Sequence, residues 1–279
     1  MDETKGKKPC TCGATGKAVA NLCFLVVTIA VNALDAFGII NGLSQKQVSD
    51  MYPTLITPSP FTFQIWMVIY ALLIVSMIVM IVKSKDKYWN KAIENISWMF
   101  WVSCIFNIAW IVAFSYVKIW LSVLFIAILM ITLGLICSEL LRMRKDGKWL
   151  LPLTFGIYFG WIVVATVVNI SAFLVKLNWN GFGLSPYVWT VIVLAFAVIL
   201  TAIITCSDKN AAIPLPVAWA FFGIHQANKL DKMVNISSII GILLLLGLAV
   251  YTLILNGWAI LPKDDSNGSK NLNDSKIQV

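Results

Sequence analysis

Apolar residues fall in long blocks along this chain, at roughly 20–41, 61–82, 96–116, 119–140, 150–175, 187–206, 211–227 and 236–261, with short polar stretches between them. Each block approaches the ~20 residues that a helix needs to cross the hydrocarbon core of a bilayer. The pattern predicts an all-α polytopic membrane helix bundle of about eight transmembrane helices. The seventh block is short and carries Pro214 and Pro216, which fit a helix start or a partly re-entrant segment. Short connections predict an up-and-down bundle of sequential neighbours. The exception is 42–60, stiffened by Pro53, Pro58 and Pro60 and long enough to fold over the bundle as a lid. A second candidate cover is 176–186, on the same side.

Three blocks carry a tryptophan well inside them, with companions at helical spacing. Trp66 shares a face with Phe63 and Tyr70, Trp110 with Asn107 and Phe114, and Trp161 with Ala165 and Asn169. An unpaired amide in hydrocarbon costs a few kcal/mol, so these faces are expected to point inward. Walls of indole, phenyl and phenol with a few amides suit a flat, largely apolar ligand bearing one or two polar groups. The bland alternative is that the aromatics only pack helices together. Asp35, in the outer third of the first block, is either structural or a ligand-polarising or proton-carrying group, because a carboxylate at that depth costs ~2.5–3.5 kcal/mol.

Composition removes whole classes of function. At 59% hydrophobic and 12% charged residues, the chain is not a soluble domain. Its net charge of +8 is distributed by loop rather than gathered on a nucleic-acid-binding face. With both termini on one side, only Lys46, Lys118, Lys176, Lys229 and Lys232 of the twenty-one basic residues fall opposite, which orients both termini to the cytoplasm and requires an even number of spans. Trp89, Trp120, Trp149, Trp179 and Trp258, near block ends, fit the headgroup zone. Cys10 and Cys12 form a lone CxC without further ligands, so no metal site is expected, and His225 reads as an interfacial residue. No HExxH, GxSxG or phosphate loop is present. Gly156 and Gly160 form a GxxxG that fits either intrachain packing or a dimer seam. The first seventeen residues, with Asp2 and Glu3 and no arginine, are unlike a mitochondrial transit peptide, and a bacterial plasma membrane is the expected location.

Three stretches resemble a known family: Asn41 to Tyr70 (NGLSQKQVSDMYPTLITPSPFTFQIWMVIY), Asn107 to Phe114 (NIAWIVAF) and Trp161 to Ser171 (WIVVATVVNIS). They are similar, in order, to the tryptophan-rich sensory protein or translocator protein family, also called the peripheral benzodiazepine receptor family. The resemblance implies a five-helix bundle over 18–175 whose pocket, covered by lid 42–60, binds porphyrins or sterol-like molecules. It implies that Trp66, Asn107, Trp110, Trp161, Ala165 and Asn169 line or buttress the pocket. An external loop 176–186, three further helices over 187–261 and a disordered cytoplasmic tail from 262 would complete the chain after a cytoplasmic N-terminal tail of 1–17. The lid lacks the further tryptophan of five-helix members, which counts against porphyrin breakdown.

These readings converge on a non-enzymatic membrane protein binding a hydrophobic, porphyrin-like or haem-like ligand as sensor, scavenger or transport regulator, with Phe63 and Tyr70 added to the site by spacing. No cofactor is required, and the expected partners are the hydrophobic small molecule, membrane lipids and a second copy of the chain, with no nucleic acid. Two alternatives stay open: a secondary transporter using Asp35 as coupling carboxylate, and an enzyme that oxidises a bound tetrapyrrole.

Overall fold

The computed structural model describes residues 11–145 and 147–264. Among these are nine α-helices and no strand: α1 (Thr11–Ala36), α2 (Gln45–Asp50), α3 (Ile65–Val82), α4 (Lys87–Ser115), α5 (Ile119–Arg142), α6 (Leu150–Lys176), α7 (Pro186–Asp208), α8 (Pro214–Ala227) and α9 (Lys232–Leu255). Seven of them are long and apolar enough to cross a membrane. The chain is a polytopic helical membrane protein. Helices α1, α3, α6, α5 and α4 close into a ring in that spatial order, each packed on the next. Thus α3 packs mainly on α1 and α6 and little on α4, its neighbour in sequence, contrary to the expectation that sequential helices are neighbours.

Two helices start earlier than the apolar blocks indicate. The first turns of α1 and α4 are polar, yet Ala14 and Ala18 are buried on one, and Trp89, Ala92, Ile93 and Ile96 on the other. Spacing of three and four residues gives these charged stretches one apolar face each. Thr15 bonds Ser84 at 3.0 Å and Lys17 pairs with Glu94, joining the two ends. Asp86 caps α4, its Oδ1 accepting from the backbone N–H of Tyr88 and Trp89. Those bonds, that to Trp89 foremost, hold its carboxyl below the usual carboxylate range. Trp89 is therefore a core residue, 4% exposed, and not the interfacial one expected, whereas Trp120, Trp149 and Trp258 are exposed at span ends. Of the CxC pair, Cys10 lies outside the described residues, as does the tail from 265.

The seventh apolar block becomes α8, only 14 residues and about 21 Å long at 1.5 Å per residue. It nonetheless runs from one end of the ring to the other. At its start, Asn210 Nδ2 donates to the Pro152 carbonyl at the beginning of α6. Near its finish, the Gly223 carbonyl accepts from Ser59 in the segment before α3. The missing length is supplied by residues 209–213, a non-helical entry buried from Asn210 onward. Non-helical backbone at this depth must be satisfied by protein. Asn210 Oδ1 accepts from the Ala212 N–H at 2.9 Å, and the Ala211 N–H donates to the Ile260 carbonyl at 3.0 Å. With α8 counted, the described chain traverses the bundle eight times and α1 begins at the end where α9 stops.

Helix α8 packs on α6 and α9, while α7 completes a C-terminal group of three against α6. The GxxxG of α6 is where α8 enters. A Cβ on Gly156 would come within 2.8 Å of the Asn210 amide, and one on Gly160 within 2.2 Å of the Ile213 carbonyl oxygen. The motif is thus filled by the chain's own residues 210–216, side chains at Gly156 and backbone at Gly160, which decides between the two readings in favour of intrachain packing. Gly160→Ala is expected to lose about 1–3 kcal/mol of stability, as overpacked interiors do, seen as a lower thermal midpoint in lipid or detergent. A midpoint at the wild-type value would contradict the close approach of α8.

Candidate functional site

The three inward tryptophans sit on three different helices of the ring, Trp66 on α3, Trp110 on α4 and Trp161 on α6. Trp66 is the hub. It stacks on Tyr70 at 5.3 Å between ring centroids, lies 6.2 Å from Trp110, and meets Trp161 edge-on at 6.3 Å. Phe63 meets Trp161 edge-on at 6.0 Å. Such geometries are those that aromatic quadrupoles prefer, so the rings fix one another's orientation.

Above this cluster lies a cavity between α3, α4 and α6, roofed by α2 and the segment before α3. Phe63, Trp66, Trp110, Trp161, Ala165 and Asn169 line it, six of the eight residues expected at the site. Tyr70 lies behind Trp66, and Asn107 lies outside the lining as well. Asn107 is committed elsewhere: its Oδ1 accepts from Asn32 Nδ2 at 2.8 Å and its Nδ2 donates to the Tyr158 hydroxyl at 3.0 Å. It ties α1, α4 and α6 together as a buttress. Asn169 Oδ1 likewise accepts from the Ser122 hydroxyl at 2.9 Å. Asp35 is buried with one carboxylate oxygen unpartnered, and is not part of the lining.

Gln45, Ser49 and Pro58 of the lid, Phe114, Val164, Val168 and Ala172 complete the wall. The α6 members continue the stripe through Ala165 and Asn169 at three- and four-residue spacing, a signal available in the sequence. Gln45 and Ser49 come from α2, a short helix whose capping box, Ser44 with Gln47, is equally legible as S-x-x-Q. Helix α2 is seated by Val48, fully buried in a small cluster with Phe114 and Ile119. Segment 176–186 does not reach the cavity; its Trp179 and Phe182 cluster with Trp189 at the start of α7.

The space is about 50 Å3. That is far below the ~300–1,000 Å3 of pockets that hold drug-sized ligands. The site is narrow, and a drug-sized ligand must push its walls or its roof apart. Two lining residues stand out: the indole N–H groups of Trp110 and Trp161 are buried without a hydrogen-bond acceptor.

This constellation, a lidded aromatic cavity inside a five-helix membrane ring, defines a class of polytopic membrane proteins. The chain matches the family model described as TSPO-like protein over residues 18–251, and it belongs to that family. No curated protein and no solved structure matches it. The match runs through α8 and most of α9, beyond the five-helix ring to which the motifs had confined it.

Asn107→Leu is expected to cost about 1–3 kcal/mol, because the Tyr158 hydroxyl loses a buried partner in an apolar interior. The thermal midpoint of the purified protein reads this directly, and an undiminished midpoint would remove Asn107 from the role of buttress.

Proposed function

We propose that the protein binds a flat, hydrophobic, porphyrin-like ligand between the aromatic rings of α3, α4 and α6 and acts as a sensor, scavenger or transport regulator rather than as an enzyme. The observation that carries this reading is the pair of partnerless indole N–H groups on Trp110 and Trp161. A buried donor without an acceptor costs ~1–3 kcal/mol, a penalty that an occupant with acceptor atoms on its edge relieves. Such an occupant combines a ring face for stacking with carboxylate or carbonyl groups, as a porphyrin does. Family membership supports the same ligand class. Asn169 and Gln45 supply further polar contacts at the wall, and Ala165 leaves room beside Trp161. The lid lacks a tryptophan, which favours retention of the ligand over its breakdown. The distribution of lysine and arginine supports an orientation with both termini in the cytoplasm.

Titration of the purified protein with protoporphyrin IX, followed by tryptophan fluorescence, is expected to give saturable quenching. Trp110→Phe keeps a ring and removes the N–H, so it should weaken affinity about tenfold, the ~1.4 kcal/mol of one good hydrogen bond to a charged or polar edge. Asn169→Ala should weaken it less. Quenching that never saturates would defeat the reading, and loss of the porphyrin itself over time in the light would convert it into turnover.

A further inference from the structure

The lid segment 55–63 has two sides. Pro58 and Phe63 line the cavity, whereas Ser59, Phe61 and Thr62 meet α8. Both the backbone N–H and the hydroxyl of Ser59 donate to the Gly223 carbonyl at 3.1 Å. Trp219 Nε1 donates to the Thr62 carbonyl at 2.8 Å, and Asn228 Nδ2 to the Leu55 carbonyl at 2.9 Å. Phe61 packs edge-on against both Trp219 and Phe222, at 5.6 and 5.9 Å. These partners are 157 to 173 residues apart in the chain.

The fit requires a glycine. A Cβ on residue 223 would stand 2.1 Å from Thr62 Oγ1 and 2.9 Å from Pro58 Cβ, so any side chain there pushes the segment off α8. Pro58 is the link to the cavity, since it touches Gly223 on one side and lines the cavity on the other. The other half of the roof is held separately by Val48 in its cluster with Phe114 and Ile119.

We infer that α8 is the latch of the cavity: Trp219, Gly223 and Asn228 are positioning residues that hold lid segment 55–63 shut, so that the C-terminal helices govern admission of the ligand. This inference rests on the ligand-binding reading for its consequence, though not for its geometry. Because the space is so small, a ligand of porphyrin size needs this segment to move aside, and the strength of its attachment to α8 sets how often that happens.

Backbone hydrogen exchange of the full chain in lipid nanodiscs, run beside stopped-flow quenching by protoporphyrin IX, tests the latch. Gly223→Ala is expected to raise exchange across 55–63 about tenfold and to speed porphyrin association in proportion. Ser59→Ala, which removes one hydrogen bond and introduces no clash, gives a smaller rise and carries the test if Gly223→Ala fails to fold. Gly134→Ala, which crowds Phe159 between α5 and α6, should leave the lid at its wild-type rate. Wild-type exchange at 55–63 in both lid variants would overturn the latch even if porphyrin binds. Faster exchange without any porphyrin quenching would keep the latch and defeat the ligand.

Discussion

Asn210 makes the C-terminal half of this structure workable. A membrane-embedded chain cannot leave backbone groups bare, and residues 209–213 enter the bundle without helical bonds to satisfy them. One side chain holds the Ala212 N–H and grips the Pro152 carbonyl, fixing the entry against the first turn of α6. Gly156 and Gly160 then let that backbone lie directly on α6. With its start pinned there, a helix of only 14 residues reaches the opposite end of the ring, where its last turns meet the lid. The position of the roof thus traces back to a polar contact at the far end of the bundle.

The ring is organised by the same requirement in milder form. Its buried polar side chains are paired across helices: Asn21 with Ser97 and Trp101, Asn32 with Asn107, Asn107 with Tyr158, Ser76 with Thr154, and Ser122 with Asn169. Lipid provides no hydrophobic force between helices, so such pairs and close packing select the neighbours. They explain why α3 lies on α6. Ser76 to Thr154 binds it to α6, and Trp66 meets Tyr158 and Trp161 of the same helix. Where this pairing is complete the interior is structural. It fails at several places, among them the indoles of Trp110 and Trp161, two residues that line the cavity.

Much of this was legible in the sequence because membrane spans are written as length and hydropathy. The helical spacing of Trp66, Trp110, Trp161, Ala165 and Asn169 placed them on inward faces, and they do converge. Asn107 shares that spacing, but which amide bonds to a helix and which borders a space depends on partners such as Asn32 and Tyr158 that spacing does not identify. The starts of α1 and α4 were hidden because Thr, Gly, Asn, Lys and Glu are interspersed among the apolar residues there, although Trp89, Ala92, Ile93 and Ile96 form a continuous stripe. The junction of α8 with the lid was illegible for a different reason. A glycine that admits Thr62 from more than 150 residues away looks like any other glycine until the chain is folded.

Selectivity for an occupant of the cavity follows from where that occupant starts. A hydrophobic ligand already dissolved in the bilayer gains almost nothing by moving from acyl chains to leucine- or tryptophan-lined space, because both are apolar. Affinity must come from what lipid lacks: rigid ring faces to stack on, worth ~0.5–1.5 kcal/mol per pair, and donors held ready for an acceptor. The cavity wall has both, in the Trp66 cluster and in the two unsatisfied indoles. Against this stands the lid, whose four hydrogen bonds to α8 contribute on the order of 0.5–1.5 kcal/mol each. The two sums are of the same order. On the proposed ligand-binding reading, a molecule that offers a ring but no acceptor would gain too little to lift the lid, whereas one offering both would offset its opening, and discrimination would lie in that small difference rather than in hydrophobicity.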